Sequence, residues 1–121
     1  MSTTTFTVTA FGGVYVVNST NNPVLTMYRG QTYTFNINAS SHPFYIKTSA
    51  DSFIFTNVYS NGVTGNGTNT LTFVVPSNAP STLYYVCQNH SNMGNQINIT
   101  DQPIPCYSKG TLILTNQGYI K

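Results

Sequence analysis

The stretch "TYTFNIN", residues 32–38, alternates without a break: Tyr33, Phe35 and Ile37 fall on one side, and Thr32, Thr34, Asn36 and Asn38 on the other. Successive side chains of an extended chain leave opposite faces, so this spacing builds a strand with one apolar and one wet face. The same rhythm recurs on both sides of it. "TFTVTA" (5–10) aligns Phe6, Val8 and Ala10, and "VLTMY" (24–28) aligns Leu25 with Met27. "TLTFVV" (70–75) aligns Leu71, Phe73 and Val75, and "QINIT" (96–100) aligns Ile97 with Ile99. Turn chemistry separates these runs at "FGG" (11–13), "STNNP" (19–23), "RG" (29–30), "NGVTGNG" (61–67) and "PSNAPS" (76–81). Short strands at such intervals, with no helical periodicity between them, predict an all-β fold: an antiparallel Greek-key sandwich of seven or eight strands. "GNG" at 65–67 reads as a loop tip.

A chain of 121 residues suits one core, with about two thirds of its unfolded surface buried. The sandwich is expected to fill residues 1–101. A Pro-containing linker over 102–105 and a terminal segment over 106–121 follow it. Charged residues are only 5% of the chain against about 25% in ordinary soluble domains, so amides and hydroxyls must carry the wet surface. The net charge of +2 comes from scattered residues and makes no electrostatic footprint for nucleic acid. No stretch is long and apolar enough to span a bilayer. The opening "MSTTTFTVTA" lacks the basic and apolar regions of an export signal. The Asn- and Thr-rich composition nevertheless points to an exterior setting, on a virion or in an extracellular or periplasmic space.

Strand parity also places the reactive side chains. In "HPFYIK" (42–47) the row of Phe44 and Ile46 contains His42, with Tyr45 and Lys47 turned outward; in "LYYVC" (83–87) the row of Leu83 and Tyr85 contains Cys87. His90 and Met93 follow on a short loop, spaced Cys-x2-His-x2-Met. An inward imidazole needs partners for both ring nitrogens, and a metal supplies one. Two imidazoles, a thiolate and a thioether form the donor set of a type 1 copper centre, with His2Cys in a plane and Met as a long axial ligand. One short segment then gives three donors, and His42, from a distant strand, closes the site. Several alternatives stand beside this reading: a buried inert thiol at Cys87, Met93 packed on aromatics, zinc in place of copper, and a disulfide between Cys87 and Cys106. With two acids in the whole chain, neither a Ser-His-Asp set nor a carboxylate pair can be assembled, so no enzyme is expected.

"GQTYTFNI" (30–37), "HPFYI" (42–46) and "LYYVCQNHSNMG" (83–94) resemble the cupredoxins, and the ligand loop is similar to that of amicyanin. The resemblance implies one copper ion held by His42, Cys87, His90 and Met93, one-electron transfer, and a redox partner protein. In the familiar members Asn follows the first His ligand and ties the two ligand segments together, whereas Pro43 stands here. A second class of function competes: a structural or decoration module that packs against neighbouring subunits, with copper absent or only structural. The tail "CYSKGTLILTNQGYIK" (106–121) resembles the opening of a Hint (hedgehog/intein) domain. That likeness implies Cys106 as an autoprocessing nucleophile. The alternative is an ordinary terminal hairpin.

Overall fold

The structure, a computed structural model, describes residues 3–50 and 54–103. Cys106 and the terminal segment 106–121 lie outside the described residues. Strands β1 (Thr3–Phe11) and β2 (Val14–Val17) are joined by Gly12 and Gly13, both at positive φ, which makes the tight turn accessible. They are followed by β3 (Thr20–Asn21), β4 (Leu25–Tyr28), β5 (Thr32–Asn38) and β6 (Phe44–Lys47). A 3-10 turn at Phe55–Asn57 leads to β7 (Val63–Thr64), and β8 (Thr70–Val74), β9 (Thr82–Cys87) and β10 (Gly94–Thr100) complete the chain order.

Among the described residues these strands form two facing sheets, ordered β3-β2-β1-β5-β8-β7 and β4-β10-β9-β6. The all-β sandwich expected from alternation is present, with ten strands rather than seven or eight. Its sheets are also mixed rather than purely antiparallel: β1 runs parallel to β5, and β4 parallel to β10. Parity could not reveal this, because period two reports which face a side chain takes and is silent on the direction of the neighbouring strand.

The inward rows are the ones that the alternation marks. Val8, Leu25, Met27, Tyr33, Phe35, Ile37, Phe44, Ile46, Leu71, Phe73, Leu83, Tyr85, Ile97 and Ile99 are all buried in one core. At its centre, Phe44 stacks on Tyr85 with ring centroids 5.3 Å apart and meets Tyr15 edge-on at 5.1 Å. These are favourable aromatic geometries, and the contact of Phe44 with Tyr15 of β2 bridges the two sheets. The Tyr85 hydroxyl donates to the Pro23 carbonyl at 2.5 Å, which satisfies the polar end of a buried ring.

Two outward assignments are corrected. Lys47 does not face solvent; it is fully buried, and Tyr45 is half-buried. The cause is the chain that returns over β6: Val58 bridges to Lys47, and Tyr59 N–H donates to the Ile46 carbonyl at 2.8 Å. The "GNG" stretch, in turn, is no free loop tip. Gly67 N–H donates to the Phe44 carbonyl at 2.8 Å, and Asn66 Oδ1 accepts from Ile46 N–H at 2.8 Å while its Nδ2 donates to the Tyr59 carbonyl at 3.0 Å. Asn66, with Val58, Tyr59 and Gly67, thus stands in for a neighbour strand along the outer edge of β6; covering an edge is one of the ways proteins blunt it. In Asn66→Ala, Ile46 N–H and the Tyr59 carbonyl lose their partners. The expected cost is about 1–3 kcal/mol, read from the midpoint of urea unfolding at constant m-value.

Candidate metal centre

The pairing of β6 with β9 sets the site. Phe44 and Cys87 are directly opposite one another, so His42 sits diagonally across from Cys87 on the same face, just ahead of β6. The ladder continues past the strand ends with Gln88 N–H donating to the Pro43 carbonyl at 3.0 Å. His42 is therefore not within the strand row itself. It lies half-buried in a turn, its own N–H donating to the Ala39 carbonyl at 3.0 Å, behind Ser41 in the left-handed region at φ 67°. On the other segment, loop 88–93 is closed by Cys87 N–H donating to the Met93 carbonyl at 2.9 Å. Asn92 at φ 64° and Gly94 at φ 135° turn the chain back into β10.

This scaffold brings three donors to one point. Cys87 Sγ lies 3.7 Å from His42 Nδ1 and 3.5 Å from His90 Nδ1, and the two imidazole centroids are 4.7 Å apart. Among the described residues, His42, Cys87 and His90 form the cluster able to hold a metal ion. The distances pass a simple test. Nitrogen and sulfur bonded to one first-row ion at about 2.0 and 2.3 Å, with angles of about 110–120°, lie about 3.5–3.7 Å from each other. Cys87 carries a buried thiol, free among the described residues; Cys106, the partner in the disulfide alternative, lies outside them. His90 is exposed, whereas Met93, the fourth expected donor, is fully buried where the loop re-enters the core.

The groups around the donors are themselves fixed. Asn89 N–H donates to Cys87 Sγ at 3.4 Å. The Asn89 side chain donates across to the Ser41 carbonyl at 3.0 Å. Tyr15, fully buried on β2, donates from its hydroxyl to the His42 carbonyl at 2.8 Å. Burial pushes the pKa of that hydroxyl well above the ordinary tyrosine range, and the neighbouring Cys87 adds to the rise, so it stays protonated and remains a donor. Neither Asn89 nor Tyr15 was marked in the sequence. Tyr15 carried no signal beyond its hydrophobic neighbours, and Asn89 was one amide in a chain full of them.

No model of a known protein family matches the sequence, and no curated protein matches it. The match is to solved structures, and it is one of fold: the two-sheet sandwich is like those of the cupredoxins rusticyanin and auracyanin A. Rusticyanin, described as a copper protein, aligns with a TM-score of 0.59 at 21% identity, over 80% of this chain and 77% of its own. Rusticyanin from Thiobacillus ferrooxidans gives a TM-score of 0.56 at 20% identity over the same shares. Auracyanin A, a "blue" copper protein of the green thermophilic photosynthetic bacterium Chloroflexus aurantiacus, gives 0.53 at 16% identity, over 81% of this chain and 99% of its own. At these identities the likeness is one of fold. The Hint-like reading of the tail finds no support among these matches.

Proposed function

We propose that this chain binds one copper ion through His42, Cys87, His90 and Met93 and exchanges single electrons at that site. The observation that carries the reading is the placement of one free sulfur 3.7 and 3.5 Å from two imidazole nitrogens contributed by segments far apart in sequence. Donor chemistry favours copper over zinc. Thiolate and thioether are soft ligands that suit Cu(I) and imidazole serves both oxidation states, whereas structural zinc sites take four strong ligands. Copper held by these donors supplies exchange of one electron between Cu(II) and Cu(I). The residues' own contribution is rigidity: Cys87 ends a paired strand, His42 precedes another, and both segments are hydrogen-bonded through their backbones, so the donors stay in place in either oxidation state. The exposed ring of His90 gives the buried sulfur a short route to the surface. A redox partner protein belongs to this proposal. So does the absence of an independent catalytic reaction. Among the described residues no helix is long and apolar enough to cross a membrane.

The test is to titrate the reduced, metal-free protein with Cu(II). Uptake of one equivalent with an intense thiolate-to-copper band in the visible is expected. No uptake, or only weak ligand-field absorption, overturns the reading.

A further inference from the structure

Three consecutive carbonyls, those of Ser41, His42 and Pro43, each accept a hydrogen bond, and each donor comes from a different place. Asn89 Nδ2 reaches Ser41 at 3.0 Å from the ligand loop, the Tyr15 hydroxyl reaches His42 at 2.8 Å from the opposite sheet, and Gln88 N–H reaches Pro43 at 3.0 Å from the end of β9. The segment has reason to need holding from outside. Ser41 sits at φ 67°, where L side chains are uncommon and persist only when the surroundings over-determine them. Pro43 has no N–H, so its carbonyl is the one backbone handle at that position.

We propose that Tyr15 and Asn89 are positioning residues that lock the His42 segment in ligand geometry whether or not an ion is bound. This rests on the copper reading only for its functional meaning; the lock itself consists of hydrogen bonds within the chain. Tyr15 suits the task because its ring is wedged edge-on against Phe44, at 5.1 Å, and tilted against Tyr85, at 6.2 Å, which leaves its hydroxyl little freedom to turn elsewhere. Asn89 suits it because one residue grips both ligand segments. Its backbone N–H binds the sulfur of Cys87 and its side chain binds the carbonyl before His42. The tie that an Asn after the first His ligand makes in the familiar cupredoxins, and that Pro43 cannot make, is formed here from the opposite segment.

The experiment uses the full chain with Tyr15→Phe, Asn89→Ala and the double variant. In the metal-free reduced protein, amide hydrogen exchange is followed at His42 and Gln88, with Ile97 and Ile99 of β10 as internal reference. Each single variant is expected to raise exchange at His42 and Gln88 by about tenfold or more relative to β10, and the double variant further. Referencing to β10 separates a local loosening from a general loss of stability. In the Cu(II)-loaded protein, affinity is expected to fall about 10–100-fold, the usual range for partners that orient ligands, with a shift of the thiolate-to-copper band. Exchange ratios unchanged in all three variants overturn the proposal. Should the unaltered protein take up no copper, the functional reading fails by itself, and the exchange ratios still decide the lock.

Discussion

In Cys87→Ser protein, Cu(II) produces no intense visible band, and copper affinity falls by more than about 100-fold. The lower bound follows from what lesser changes do: removing a hydrogen-bond partner of a ligand already costs about 10–100-fold, and here a ligand itself is lost. Serine keeps nearly the shape of cysteine, but its hydroxyl is not ionised near neutral pH and is a hard donor. The soft anionic sulfur and its charge transfer to copper therefore both disappear. The fold should survive the change. Asn89 N–H, which now donates to the sulfur at 3.4 Å, can donate to a serine oxygen instead, and the side chain remains small and enclosed. The expected cost to the metal-free protein is about 1–2 kcal/mol for placing a hydroxyl in a mostly apolar setting. The two measurements belong together. An intense band that persists in a folded Cys87→Ser protein would show that the sulfur is not the donor, whereas loss of the band with loss of the fold would say nothing about coordination.

Some of this was legible in the residues and some was not, and the boundary has physical causes. Alternation located the apolar rows of "TYTFNIN", "TLTFVV" and "LYYVC" because a sheet with one buried face must repeat every second residue. It missed β2, "VYVV", where apolar residues on both faces hide the period although only Tyr15 and Val17 are buried. The two-residue strands β3 and β7 are too short to have a period at all. Lys47 was misplaced because parity tells only which face a side chain takes and not whether that face is covered; the decisive fact, the return of Val58 over β6, comes from another part of the chain. The donors were legible for a different reason. Histidine, cysteine and methionine are so scarce here that their clustering at 87–93 stood out. What orders those donors was invisible, since Tyr15 is 27 residues from His42 and acts through a backbone carbonyl that no motif records.

Gly94→Ala is expected to do the greatest damage of any single methyl added to this fold. A Cβ built at Gly94 would lie 1.8 Å from the Tyr85 carbonyl oxygen, 2.8 Å from its carbon and 2.9 Å from the Cα of Val86. All three are backbone atoms of the paired strand, so no side chain can swing aside. Gly94 pairs with Val86 in the β9–β10 ladder, and relief of the overlap requires the strands to part at the end that carries Cys87 and Met93. The backbone also sits at φ 135°, a region left to glycine, which adds about 1–3 kcal/mol of strain to the overlap. Together the two should cost about 4 kcal/mol or more, a large share of the roughly 5–15 kcal/mol available to a domain of this size. Gly12→Ala is the control. Gly12 is also at positive φ, 61°, but a Cβ there meets nothing within 4 Å, so strain acts without overlap and the expected loss is about 1 kcal/mol. Urea unfolding of the two variants separates the contributions, and the copper band of Gly94→Ala, if folded protein accumulates, should be displaced because Met93 adjoins the altered residue. Equal destabilisation in the two variants would mean that β9 and β10 are not packed backbone to backbone beside the candidate site.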